Sequence, residues 1–151
     1  MLVPKTEDRW QECRVLFPMT DLAVELLGTP EVRIHAGFAI PIPSLEQYHA
    51  LSDKYRLMQW AQSNGIPIPE THFVVGGDVS SILPALDRWP VVVKPGRSLV
   101  RARGAVKKTS VQYARNADEL RRLYAEHAEL REPSLIQSRV VGHGEGVFGL
   151  F

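Results

Sequence analysis

The stretch VVVKPGRSLVRARGAVKK (91–108) joins an apolar run to a cluster of positive charge. Its three β-branched valines predict a buried strand with Lys94 near its end. Six basic residues and no acid then fall within positions 94–108. They are Lys94, Arg97, Arg101, Arg103, Lys107 and Lys108. Because the net charge of the 151-residue chain is only +1, the cluster needs a local explanation. It indicates either a bound anion or a solvated hairpin.

The residues around Lys94 suit a polyphosphate. A lysine at the end of a buried strand needs an anionic partner or a route to water. Gly96 and Gly104 give the following loop backbone freedom and let amide groups approach an anion. Arginines can contact phosphate oxygens in a bidentate manner. A basic loop that is merely solvated remains the alternative at this point.

Composition limits the broad class of the protein. Apolar residues make up 44% and charged residues 23% of the chain, which is typical of a soluble globular protein. The near-neutral balance argues against a dedicated nucleic-acid binder. The single cysteine, Cys13, excludes a disulfide within the chain and suits a cytoplasmic location. We expect no membrane span, signal peptide or zinc site, because long apolar runs and clustered histidines are missing.

The chain before the basic stretch predicts a strand and several helices. Strand 14–20 followed by helix 21–30 forms a βα unit. Ser44 and Gln47 form a capping box for the next helix. The remaining predicted elements are helices 45–51, 53–63 and 78–89 and a strand at 71–75.

The chain from residue 88 predicts a small α+β unit. A strand at 90–95, the basic loop and a strand at 104–114 lead to a helix at 116–130, capped by Asn116. A strand follows at 134–141. Another begins at 146 and stops at 151, so we expect a fragment of a longer protein. This exposed last strand could pair with a second copy and give a homodimer or a swapped assembly.

Three motifs in order carry a resemblance to a known superfamily. SDKYRLMQWAQSNGIPIPET (52–71), WPVVVKPGRS (89–98) and SLIQSRVVGHGEGVF (134–148) together resemble the front half of an ATP-grasp enzyme. The likeness is to the carbamoyl phosphate synthase large-subunit-like and biotin carboxylase-like members. It covers 44–151, and more weakly 14–43. No single motif is specific, and the resemblance depends on their order.

The resemblance implies an α+β / α/β fold class and a division of the chain. A partial Rossmann-like (pre-ATP-grasp) segment would come first, followed by the first ATP-grasp α+β subdomain, truncated before the second. The implied segments are 1–43 (end of the Rossmann-like part), 44–87 (linker helices and strand), 88–145 (nucleotide-binding subdomain with a phosphate lid) and 146–151 (first strand of the missing half).

The resemblance also implies a set of ATP-binding residues. Lys54 and Lys94 match the two phosphate lysines, and the lid would run from Gly96 to Gly104 with Arg97 in it. The strand around Gln137 matches the hinge that holds adenine. The backbone of Arg139 and Val140 would pair with the base edge, and Glu145 stands where a ribose-binding acid is expected.

Two departures from the family pattern limit the prediction. The lid is rich in arginine where the family often has glycine, and the roles of Arg97, Arg101 and Arg103 stay open. The Mg²⁺ ligands belong to the missing half, so we expect no catalytic or metal-binding residue here. The longer protein would use ATP to activate a small-molecule carboxylate as an acylphosphate for attack by an amine or similar nucleophile. This chain alone would be inactive.

A non-catalytic module that binds nucleic acid or another polyanion through 94–108 is the competing hypothesis. Aromatic residues do not interleave with the basic ones in this stretch, as stacking platforms require. The sequence therefore favours ATP over nucleic acid as the partner.

Overall fold

The computed structural model describes residues 14–35, 39–102, 105–147 and 149. Contacts divide the chain into two units. The first unit consists of Met1–Asp53 and Arg97–Lys108. The second unit consists of Lys54–Gly96 and Thr109–Phe151. The described helices are α1 (Asp21–Leu27), α2 (Pro30–His35), α3 (Leu45–Ser52), α4 (Lys54–Ser63) and α5 (Ala117–Glu126). The described strands are β1 (Thr71–Val74), β2 (Val91–Pro95), β3 (Leu99–Ala102), β4 (Ala105–Lys108), β5 (Gln112–Ala114) and β6 (Ser134–Ser138). The predicted mixed α+β class is confirmed, while the predicted domain boundaries stay predictions.

The second unit is built on a four-stranded antiparallel sheet of order β1-β6-β2-β5. Strand β2 lies in its interior and pairs with β6 on one side and β5 on the other. An interior strand that is covered on both faces reads as a continuous apolar run, because no side chain alternates into water. This accounts for the three consecutive valines that begin β2.

One face of the sheet packs on α5. Leu120 and Tyr124 are four residues apart on the helix and therefore point to the same side. They meet the residues of β2 and β6 that alternate onto this face, Val91, Val93 and Ile136. The resulting core also includes Val74, Val79, Ala114 and Leu130. All of these side chains are nearly or fully buried.

The opposite face of the sheet carries Lys94 and Gln137, two of the predicted ATP-binding residues. The register sets Val92 opposite Gln137 and Lys94 opposite Leu135, and residues paired in this way point to the same side. We call this surface the Lys94 face; it comprises Thr71, Phe73, Val92, Lys94, Tyr113, Leu135 and Gln137. Helix α4 packs on part of it, since Tyr55 meets Phe73 edge-to-face with ring centroids 5.3 Å apart.

The first unit holds α1, α2, α3 and the β3–β4 hairpin. Two hydrogen bonds tie α3 to α1: the Tyr48 hydroxyl donates to Asp21 and His49 Nε2 lies against Glu25, each at 2.7 Å. The hairpin pairs Leu99 with Lys108 and continues to Ala102 with Ala105. The predicted capping box at Ser44 is confirmed.

The predictions for three segments, 78–89, 14–20 and 104–114, are wrong, and the elements predicted at 21–30 and 134–141 end earlier, at Leu27 and Ser138. Residues 78–89 form turns and one short 3₁₀ helix at Leu83–Ala85, because Pro84 cannot donate its amide to a longer α-helix. Asp78 accepts a bond from the Ser80 amide at 2.8 Å, as in a local turn. The buried strand at 14–20 reduces to one parallel bridge between Val15 and Ala39, and Val15 is 47% exposed.

The third error concerns the basic stretch itself. The strand predicted at 104–114 consists of two strands, β4 and β5, that pair with different partners. The predicted loop before it contains β3, so the charged segment is a hairpin of its own. Gly104 lies outside the described residues, as do Phe148, Leu150 and Phe151 of the strand predicted at 146–151; residues 146, 147 and 149 have no regular secondary structure.

Candidate functional site

Lys94 occupies the position that the sequence indicated. It is half-buried in β2, between the fully buried Val93 and the buried Pro95. Leu135, opposite it in the sheet, has no exposed surface. Among the described residues, no hydrogen bond or ion pair holds the Lys94 side chain. An ammonium group on an apolar sheet face is stabilised by water at the end of its stem or by an anion.

The start of α4 lies at the same end of the second unit as Lys94. The Lys54 amide donates to the carbonyl of Gly96 at 2.7 Å, and Gly96 is only two residues beyond Lys94. The amide of Gly96 in turn donates to the carbonyl of Pro133, just before β6, at 2.9 Å. The structure therefore brings together the backbones that carry the two predicted phosphate lysines, although they are 40 residues apart in sequence.

Gln137 lies on the Lys94 face but is buried, with 3% of its surface exposed. Its side-chain nitrogen donates to the Thr71 hydroxyl at 2.9 Å, and that hydroxyl donates to the carbonyl of Pro69 at 2.6 Å. These bonds tie the edge strand β1 to β6. The predicted contact between Gln137 and adenine is not tested by this arrangement.

The predicted base and ribose residues follow β6. Arg139, Val140 and Glu145 are exposed and lie in a segment without regular secondary structure. The last residue of β6 pairs with Val91, and Lys94 pairs with Leu135. The Lys94–Leu135 pair is thus three residues along the strand, or about 10 Å, from the Val91–Ser138 pair, which lies next to Arg139. An extended nucleoside triphosphate can bridge such a distance.

Arg97, predicted to lie in the lid, has a partner that the sequence did not indicate. Its Nε donates to Asp53 at 3.2 Å, within the first unit. Asp53 is only 8% exposed, whereas the Arg97 side chain is 53% exposed. The sequence shows Asp53 only as the acid before Lys54 in the SDKY motif. Nothing in that motif indicates an ion pair with a residue 44 positions away.

Tyr113 is a further residue of the Lys94 face that the sequence did not single out. It pairs with Val92 in the β2–β5 register and is 59% exposed. The neighbouring Ala114 points into the core and is fully buried. Strand alternation alone could not distinguish the two sides of β5, because that assignment requires its register with β2.

Within the described part of the chain, neither a cluster of metal-ligating side chains nor a membrane-spanning helix is present. There, no group of three or more His, Cys, Asp or Glu side chains is arranged to hold a metal ion. Across those same residues, no helix is both long enough and apolar enough to cross a membrane.

The fold, but not the sequence, has a match among known proteins. No protein-family model matches this sequence, and neither does any curated protein sequence. The fold is similar to that of D-alanine–D-alanine ligase from Helicobacter pylori, with a TM-score of 0.49 and 18% identity. The matched region covers 74% of this chain and 34% of the ligase, so this chain corresponds to about a third of that enzyme. The similarity is distant, and we base no residue assignment on it.

Proposed function

We propose that the second unit binds the polyphosphate of ATP at the Lys94 end of its sheet. The observation that carries this proposal is the 2.7 Å bond from the Lys54 amide to Gly96, which sets the start of α4 beside the end of β2. Lys94 on the sheet and Lys54 at the start of α4 bring two lysines to this end of the second unit. An anion with several oxygens is the ligand that such an arrangement favours.

The burial of Lys94 supports the same interpretation. Its neighbours in β2 and β6 are apolar and buried. An aliphatic residue in place of Lys94 would therefore stabilise the sheet at least as well as the lysine does. Electrostatic interactions at such a partly buried position are stronger than in water. A phosphate oxygen would therefore interact more strongly with Lys94 than with a fully solvated lysine.

The other predicted residues complete the proposal. Lys54 and Lys94 contact phosphate oxygens, while the lid from Gly96 to Gly104, with Arg97 in it, stays a prediction from the sequence. The backbone of Arg139 and Val140 pairs with the edge of the base, and Glu145 binds the ribose. Gln137 orders the strand that leads to this segment.

The activity of the longer protein is a wider proposal. It would be an ATP-grasp ligase that activates a small-molecule carboxylate for attack by an amine or similar nucleophile. The finer likeness to carbamoyl phosphate synthase and biotin carboxylase, and a cytoplasmic location, stay predictions from the sequence. Mg²⁺ would act in the longer protein, and we assign it no ligand among the described residues. This chain alone would bind nucleotide without turning it over.

Calorimetric titration of this chain with ATP tests the proposal. Lys94→Met removes the charge and keeps an unbranched apolar stem, so the sheet should persist. We expect ATP affinity to fall about tenfold or more, since bonds to charged groups contribute about 1.5–3 kcal/mol. Arg122→Met is the matched control, because Arg122 is exposed on α5 against the other face. Equal ATP affinity in wild type and Lys94→Met would contradict the proposal.

The same preparation distinguishes the competing polyanion hypothesis. Single-stranded DNA and RNA would be titrated across a range of salt concentrations, alongside ATP. A nucleic-acid module binds with steep salt dependence and without preference for ATP. That result, unchanged by Lys94→Met, would favour the basic hairpin as a nucleic-acid contact.

A further inference from the structure

Tyr113 differs from the other tyrosines that the sequence contains. Tyr48 donates to Asp21, Tyr55 packs against Phe73, and Tyr124 bonds to Ser134. Among the described residues, no side-chain hydrogen bond or ring contact involves Tyr113, and 59% of its surface is exposed. A large aromatic side chain without a protein partner, on a structured strand, offers an accessible surface for a ligand.

The register places this ring close to Lys94. Val92 pairs with Tyr113 and Val93 with Gln112, so Lys94 lies one step further along β2. Lys94 and Tyr113 are therefore diagonal neighbours on one face, where Cα atoms are about 7–8 Å apart. A ligand bound to the Lys94 ammonium can reach the Tyr113 ring without crossing another strand.

Other residues of the Lys94 face offer less surface to a planar ligand. Val92 and Gln137 are 9% and 3% exposed, and the amide nitrogen of Gln137 already donates to Thr71. The ring of Phe73 is in contact with Tyr55. Tyr113 is thus the accessible aromatic residue on the described part of this face.

We propose that Tyr113 is a stacking platform for the planar base of the nucleotide bound at Lys94. This inference rests on the proposed function and extends it from the phosphates to the base. Every nucleobase has a flat π-face, and stacking on an aromatic side chain contributes about 1–3 kcal/mol. Lys94 provides the charge for the phosphates, and Tyr113 provides affinity for the heteroaromatic ring.

Paired titrations with ATP and inorganic tripolyphosphate test this assignment. Tyr113→Ala should weaken ATP binding about 5- to 150-fold, the range that corresponds to the stacking energy. It should leave tripolyphosphate affinity unchanged, because that ligand has no base. Tyr113→Phe keeps the ring and should bind ATP like the wild type. Lys94→Met should weaken both ligands.

The outcomes separate the two proposals. ATP affinity that is unchanged in Tyr113→Ala but reduced in Lys94→Met would overturn the platform and leave the phosphate site standing. An equal loss of both ligands in Tyr113→Ala, or a loss in Tyr113→Phe as large as in Tyr113→Ala, would also overturn it. Wild-type protein that binds neither ligand would overturn both proposals.

Discussion

Asp53 shows how a charged side chain is accommodated when it is removed from water. Its carboxylate is almost fully buried and accepts a bond from Arg97 at 3.2 Å. Because Arg97 is half exposed, water stabilises part of its charge, and the pair avoids the full cost of a buried ion pair. Asp53 thereby attaches the residue before the basic hairpin to the end of α3.

Replacing Asp53 should therefore reduce stability. We expect Asp53→Ala to lower the free energy of unfolding by about 1–3 kcal/mol, because a buried partner of Arg97 is lost. Urea unfolding monitored by circular dichroism measures the change. Asp118→Ala removes the acid of an exposed pair with Arg121 and should change stability by about 0.5 kcal/mol or less. Equal effects of the two substitutions would contradict this account of Asp53.

Helix α5 is the element in which the local sequence signals agree best with the structure. The Asn116 side chain accepts from the Glu119 amide at 2.8 Å, as the sequence predicts for a cap. The Glu119 carboxylate accepts from the Arg115 amide, also at 2.8 Å. The α-helix ends at Glu126 and a 3₁₀ turn, Ala128–Arg131, follows, so the predicted end at residue 130 is too late.

The cap of α5 gives a prediction at the scale of one element. Asn116→Ala leaves the Glu119 amide without its acceptor and should lower the free energy of unfolding by about 1 kcal/mol. Asn116→Ser should stay close to the wild type, because a serine hydroxyl accepts the same bond. Urea midpoints for the three proteins provide the comparison. A serine variant as unstable as the alanine variant would argue against capping by this side chain.

The start of helix α5 is predicted correctly from local sequence signals, whereas the helix predicted at 78–89 is not formed. Both segments have a capping residue and apolar periodicity. In 78–89, however, Pro84 interrupts the amide ladder, and the chain forms turns. Local chemistry decides the first turn of an element, whereas its length depends on backbone hydrogen bonds and packing.

At the scale of the whole molecule, Tyr48 and Tyr124 make the free energy of unfolding depend on pH. Burial raises the pKa of Tyr124 to about 12. Burial and the hydrogen bond to Asp21 raise the pKa of Tyr48 to about 12 as well. The folded state thus favours the neutral form of both rings. This stabilisation is complete below about pH 10, the ordinary tyrosine value, and is lost as pH rises towards 12.

Unfolding experiments at alkaline pH test the role of Tyr124. Wild-type protein should lose stability between about pH 10 and pH 12, with Tyr124 contributing on the order of 2–3 kcal/mol. Tyr124→Phe should be about 1 kcal/mol less stable near pH 8, because Ser134 loses its 2.9 Å partner. Its alkaline decline should be shallower, since one ionisable group is gone. An equally steep decline in both proteins would contradict the assignment to Tyr124.

The sequence alone determined the local features of this protein: the caps of α3 and α5, the strand that carries Lys94, and the concentration of positive charge after it. These features depend on residues within a few positions of each other. The tertiary structure alone decided the partner of Asp53, the division of 104–114 into two strands, and the side of β5 that carries Tyr113. Strand register and contacts over tens of residues set these features, because a shift of one residue in a strand reverses every side chain.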